Sequence, residues 1–130
     1  MKRGCCLCGE VSFEYDGPEN WRGHCHCDSC RRNTSSPFTT FFGVPRAAFR
    51  FTGKPPTVYR SSPGVRRLFC ANCGTPMAYE NDKDLEEIHL YAASLADSKD
   101  FLPQFHVHWA EKVPWIGLSD DLPRYDRSIT

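Results

Sequence analysis

The residues with the clearest chemical potential are eight cysteines in three clusters: Cys5, Cys6 and Cys8; Cys25, Cys27 and Cys30; and Cys70 and Cys73. Each cluster contains a C-x-C or C-x-x-C pair, close enough for two sulfurs to reach one ion. A structural zinc takes four ligands in a tetrahedron, so eight clustered thiols point to two metal sites rather than one. In Cys70-Ala71-Asn72-Cys73-Gly74 a glycine follows the second thiol directly. It suits a tight knuckle, because glycine accepts a positive φ, and its amide is expected to face a metal-bound sulfur. A disulfide framework is the competing reading of an even cysteine count. It is disfavoured because Met1-Lys2-Arg3-Gly4-Cys5 is charged with no apolar run after it, so no secretory signal is expected. Neighbours as close as Cys25 and Cys27 also pair poorly with each other. A redox C-x-x-C of the thioredoxin kind needs a βαβ setting, which this chain does not offer. Reduced, zinc-bound thiolates in a cytoplasmic protein are the expectation.

The elements that must position these thiols read as short strands separated by turns. Val11-Ser12-Phe13-Glu14-Tyr15 alternates apolar and polar residues, and Asp16-Gly17-Pro18 turns it. Phe38 to Val44 is aromatic and threonine-rich, and Phe49 to Gly53 alternates again. Val58-Tyr59-Arg60 and Arg66-Arg67-Leu68-Phe69 flank Ser61-Ser62-Pro63-Gly64, which predicts a hairpin. Ile88 to Leu90 and Phe105 to Trp109 are further strands, and one short helix is predicted over Asp28 to Asn33. Ten prolines and nine glycines limit long helices. The expected architecture is mostly β, one domain over 1–130, with metal sites joining distant strands. Joining the first and third clusters, each with half a tetrahedron, closes a long loop. A structural zinc there is worth roughly 10 kcal/mol of folding free energy.

Composition removes some function classes. Sixteen basic residues balance sixteen acidic ones, whereas a general nucleic-acid binder carries a basic excess. No nucleic-acid partner is expected. No apolar run approaches membrane-spanning length, so no membrane partner is expected either. Zinc deaminases need H-x-E, which is absent.

The order of motifs resembles a known family. Gly4-Cys5-Cys6-Leu7-Cys8-Gly9-Glu10-Val11, then His24-Cys25-His26-Cys27-Asp28-Ser29-Cys30-Arg31-Arg32, then Phe69-Cys70-Ala71-Asn72-Cys73-Gly74-Thr75-Pro76 are similar to the glutathione-dependent formaldehyde-activating enzymes. That family includes the centromere protein V domain. Ser94-Leu95-Ala96-Asp97 and Val113-Pro114-Trp115-Ile116 agree. The resemblance implies an all-β fold, the β-tent of small curled antiparallel sheets. It implies a structural zinc on Cys6, Cys8, Cys70 and Cys73, and a second zinc on Cys25, Cys27 and Cys30 with an open fourth position. It implies a carbon–sulfur lyase-type activity that joins glutathione to formaldehyde. Two departures matter. Cys5 stands where the family has a small non-cysteine residue, so spacing alone leaves Cys5 and Cys6 both open as partners of Cys8. Ser35 stands where a glycine is usual.

An open three-thiolate zinc favours one kind of chemistry. Zn²⁺ with three thiolates carries a net negative charge and is a poor Lewis acid, so water activation is disfavoured. An exogenous thiol can bind as thiolate, since coordination deprotonates it, and the sulfur can then attack an aldehyde carbon. The expected small-molecule partners are a thiol and an aldehyde. Arg31 and Arg32 follow Cys30 and are candidates to bind the carboxylates of glutathione through their planar forks; Arg66 and Arg67, before Cys70, are weaker candidates. The alternative for both pairs is solvated surface charge. His24 is a candidate fourth ligand, His26 is expected to point away from the metal, and His106 and His108 share a face of their predicted strand. Trp109 and Trp115 are expected in the core or in a pocket wall. The competing function is a non-catalytic, zinc-stabilised binding module.

Overall fold

The structure, a computed structural model, describes residues 1–129; Thr130, the last residue of the expected 1–130 domain, lies outside the described residues. The chain is mainly β, as the sequence leads one to expect. Strands β1 (Lys2–Cys5), β2 (Ser12–Tyr15) and β5 (Phe49–Phe51) form an antiparallel sheet in the order β1-β2-β5. A second sheet contains β3 (Trp21–Cys25), β4 (Thr39–Pro45), β6 (Thr57–Ser62), β7 (Val65–Phe69), β8 (Pro76–Asn81), β9 (Glu87–Tyr91) and β10 (His106–Val107). Its order is β10-β3-β4-β9-β8-β7-β6, antiparallel except where β10 joins β3 in parallel. The helix α1 (Asp28–Thr34) follows β3.

Period-two alternation divides the larger sheet into two faces with different tasks. Phe42 is opposite Leu90, Leu90 opposite Ala78, and Ala78 opposite Leu68, while Val44 is opposite Ile88. These residues are all buried and share one core with Phe13, Tyr15 and Phe49 of the smaller sheet. The contact is direct: the Tyr15 and Phe42 rings lie 5.4 Å apart and those of Phe13 and Phe49 5.6 Å apart. The residues between them point to the opposite face. There Trp21 is opposite Gly43 and Gly43 opposite His89, while Gly23 is opposite Phe41 and Phe41 opposite Tyr91. Tyr79 is opposite His89 and Arg67 opposite Tyr79. This second face carries the chemistry.

Strands β1, β3 and β8 were not among the sequence expectations, and the strand expected from Phe105 to Trp109 is shortened. It ends at Val107 because His108 takes a left-handed conformation, φ 54 and ψ 38. His106 and His108 therefore do not share a strand face. His106 is fully buried and His108 pairs with Glu111 at 3.3 Å. Trp115 is also corrected: it is 71% exposed, neither in the core nor in a pocket wall.

Candidate metal centres

The first centre joins two turns far apart in sequence. Cys6, Cys8, Cys70 and Cys73 bring their sulfurs within 4.8 Å of one another. Cys6 and Cys8 sulfurs are 3.7 Å apart, as are those of Cys8 and Cys70. A tetrahedral ion with Zn–S bonds of about 2.3 Å has an S–S edge of about 3.8 Å, so the donor set fits zinc in both number and spacing. Cys6, not Cys5, belongs to this group; Cys5 is exposed at the end of β1.

Two glycine knuckles make the turns. Gly9 has φ 82 and donates its amide to the Cys6 carbonyl at 3.1 Å; Gly74 has φ 80 and donates to the Cys70 carbonyl at 2.8 Å. The glycine amides thus bind carbonyls, and other amides face the sulfurs. Val11 N–H donates to Cys6 Sγ at 3.3 Å, and the amides of Asn72 and Cys73 face the Cys70 sulfur. The Thr75 hydroxyl 3.1 Å from Cys73 Sγ, with its backbone amide, holds that thiol down to about 5. Donors aimed at sulfur stabilise thiolate, the form a metal needs.

The second centre is built from one short segment. Cys25 ends β3, Cys27 caps α1 and Cys30 is buried within the helix. Their sulfurs also lie within 4.8 Å of one another. As N-cap, Cys27 has extended backbone (φ −64, ψ 149), and its sulfur accepts from the Cys30 amide at 3.3 Å. Cys25 and Cys30 thiols donate to Cys27, holding it well below the usual thiol range, while Cys25 is pushed up by giving that hydrogen bond. Three thiols that share protons this way yield a thiolate readily and match three corners of a zinc tetrahedron. The helix closes at Ser35, whose φ of 52 is the left-handed conformation that glycine takes more easily.

No histidine joins either group among the described residues. His24 donates to or accepts from Thr40 Oγ1 at 2.8 Å and stacks on His106 at 4.7 Å. His26 points away from the sulfurs: its Nε2 is 2.8 Å from His106 Nδ1, and His106 Nε2 is 3.0 Å from Asp120. Burial pushes the His26 imidazole down to about 4, with Lys112 and Arg31 nearby adding to the effect, so it is held neutral.

Cys25, Cys27 and Cys30 all line a cavity of about 880 Å³ on the second face of the large sheet. Arg67 lines it too and is the buried cation beside the sulfurs, with Nη1 3.9 Å from Cys30 Sγ, Nε bonded to Ser61 at 3.1 Å, and its guanidinium over the Tyr79 ring. Arg66, its neighbour, turns to the other face and pairs with Glu80 and Asp82. Arg31 and Arg32 are not among the cavity-lining residues. Both pair with Asp28, at 3.4 and 3.0 Å, and Arg31 also donates to the His26 carbonyl.

A second polar group in the cavity wall escaped the sequence reading. Glu87 accepts from Asn20 at 2.7 Å, Trp21 Nε1 at 2.9 Å and His89 Nε2 at 2.8 Å. Burial alone would raise this carboxyl, but three donors outweigh it and hold it down at about 2. The missed signal was the E-x-H spacing, which places both side chains on one strand face.

A family model described as glutathione-dependent formaldehyde-activating enzyme matches residues 1–111. A Schizosaccharomyces pombe protein named as an uncharacterized lyase is 37% identical over 90 residues, covering 62% of this chain. The chain matches 60% of that curated relative's length. A crystal structure of a Rhodobacter sphaeroides protein is similar in fold, with a TM-score of 0.62 and 22% identity, covering 75% of this chain and 93% of the other. With its three cysteine clusters folded into two metal-competent groups and the family pattern running through residues 1–111, the chain belongs to the glutathione-dependent formaldehyde-activating enzyme family.

Proposed function

We propose that this protein is a zinc-dependent, carbon–sulfur lyase-type enzyme that adds glutathione or a similar thiol to formaldehyde or another small aldehyde, and catalyses the reverse. The observation that carries this reading is an incomplete set of three thiols, Cys25, Cys27 and Cys30, opening on a large cavity. Cys25, Cys27 and Cys30 would hold a zinc ion there, and the chemistry it would supply is activation of an added thiol toward thiolate at neutral pH.

The chain's own residues define the rest. Cys27 accepts from the Cys30 amide, which fixes the rotamer of the sulfur nearest the helix start. Phe41 packs against Cys30 and keeps water from one side of the sulfurs. Arg67 offsets the negative charge of three thiolates and has donors beyond those used on Ser61 and Cys30. In this reading the Arg67 guanidinium stabilises the carbonyl oxygen as charge develops on it. In the addition a C–S bond forms, the C=O π pair moves to oxygen, and the thiol's proton ends on that oxygen. The product is an S-hydroxymethyl thiol. All eight cysteines are free thiols, which fits a reducing compartment such as the cytoplasm. No helix of the described residues is long and apolar enough to cross a membrane.

Exchange NMR on an equilibrated glutathione–formaldehyde mixture tests the proposal. The zinc-loaded protein is expected to speed exchange above the uncatalysed rate, and Cys27→Ser to abolish the gain. No acceleration, with no thiol-induced change in the protein's own spectrum, would favour the binding-module reading.

A further inference from the structure

The cavity wall is poorly matched to glutathione. Its two carboxylates need cations, yet the acids lining the cavity, Asp84, Glu87 and Glu111, outnumber Arg67 and Lys83. Arg67 is already turned to Cys30. The wall is instead aromatic. Trp21, Phe41, Tyr79 and Phe105 all line it, and two glycines make room for the Phe105 and Trp21 rings. A Cβ on Gly23 would sit 2.2 Å from the Phe105 ring, and one on Gly43 would sit 2.5 Å from the Trp21 indole.

One polar atom in this wall has a fixed character. Glu87 is an ionised carboxylate and can only accept, so His89 Nε2 carries the hydrogen that bonds it. In the neutral ring this tautomer leaves Nδ1 as an acceptor, with no hydrogen-bond partner among the described residues. The ring is held by stacking on Tyr79 at 5.3 Å and by the edge of Trp21 at 4.7 Å. His89 is two residues, about 7 Å, along β9 from Tyr91, whose side chain packs with Cys30 and Phe41. An acceptor pinned by two rings in the wall of the same cavity is a specificity device, because a ligand lacking the donor leaves that acceptor unpaired.

We propose that the thiol taken by this centre carries an aromatic body, laid on Phe41 and its neighbouring rings, with a hydrogen-bond donor at its far end that His89 Nδ1 accepts. The inference rests on the reading that Cys25, Cys27 and Cys30 hold an ion that takes a thiol, and it narrows that reading away from glutathione as the preferred ligand.

The test uses cobalt(II) in place of zinc, at about pH 8, where imidazole is neutral. Thiol binding is read, without any turnover, from the change in thiolate-to-cobalt charge-transfer absorption over that of the protein's own seven cysteines. The probes are 2-mercaptoethanol, glutathione, 2-phenylethanethiol and 4-(2-mercaptoethyl)phenol. The phenyl thiol is expected to bind about tenfold more tightly than 2-mercaptoethanol, and the phenol about fivefold more tightly again. Phe41→Ala removes the first gain; Phe41→Leu reduces it and serves if the alanine variant does not fold. His89→Phe keeps a ring in the stack and removes only the second gain. If 2-mercaptoethanol and glutathione bind as tightly as the two arylalkyl thiols, this inference fails while thiol binding stands. If no thiol changes the charge-transfer absorption, the thiol-binding reading fails and takes this inference with it.

Discussion

Arg67 shows how strand register selects between two adjacent, chemically identical residues. The sequence presents Arg66-Arg67 as a pair before Cys70. Only the pairing of β7 with β8 puts Arg67 opposite Tyr79 on the cavity face and Arg66 opposite Glu80 on the other, and β8 was not foreseen. Burial works against the Arg67 charge, but the Cys30 thiol beside it holds the guanidinium above its usual range. Arg67→Met is therefore expected to weaken metal binding at the second centre by about 10- to 100-fold, the usual cost of losing a group that supports the ligands. Competition with a chromogenic chelator measures this, with the first centre as internal control. Arg31→Ala and Arg32→Ala remove half-exposed ion pairs with Asp28, each worth at most about 1 kcal/mol, and are expected to leave both affinities nearly unchanged. Equal affinities in Arg67→Met and wild type would remove Arg67 from the site.

At the scale of elements, the strands that were legible, β4 and β9 of the cavity wall among them, carry an apolar or aromatic pattern, and β1, β3 and β8 do not. Phe13 and Tyr15 alternate cleanly because β2 has one face in the core. β3 reads Trp-Arg-Gly-His-Cys, with no apolar alternation, because its outer face gives up side-chain bulk at Gly23 and ends in the candidate metal ligand Cys25. β8 opens with proline and then buries Met77 and Ala78 together, a pattern that period two does not flag. The helix was legible because the C-x-x-C spacing and Asp28 mark its start. Gly43 shows the same logic from the side of packing: the Trp21 indole and the Glu87 carboxyl occupy the space a methyl would need. Gly43→Ala is expected to displace the indole, break its bond to Glu87 and cost about 1–3 kcal/mol. Thermal melts read the loss, and a change in tryptophan emission locates it. An unchanged melt and spectrum would mean that the wall is looser than its contacts imply.

For the whole molecule, the two centres differ in what they hold together. The first ties the turn after β1 to the turn between β7 and β8, with Cys8 and Cys70 62 residues apart. The second lies within six residues, Cys25 to Cys30. Cysteine spacing pointed to two centres, because pairs of thiols are local signals, and the family resemblance implied which thiols each one takes. Which residues complete the cavity was not legible, since they come together only through sheet register. Metal binding of about 10 kcal/mol is comparable to the whole stability of a small domain. Cys73→Ser is thus expected to unfold the chain at room temperature, whereas Cys27→Ser keeps a folded circular dichroism spectrum and loses one ion. Equal destabilisation by both would erase the distinction. The most direct test of the central claim, an anchoring four-thiolate centre beside an open three-thiolate one, is cadmium-113 NMR of the cadmium-loaded protein. Two resonances are expected, one in the range of four-thiolate sites and one upfield of it, and added thiol should move only the second into the four-thiolate range. A single resonance, or two that ignore the thiol, would contradict the account.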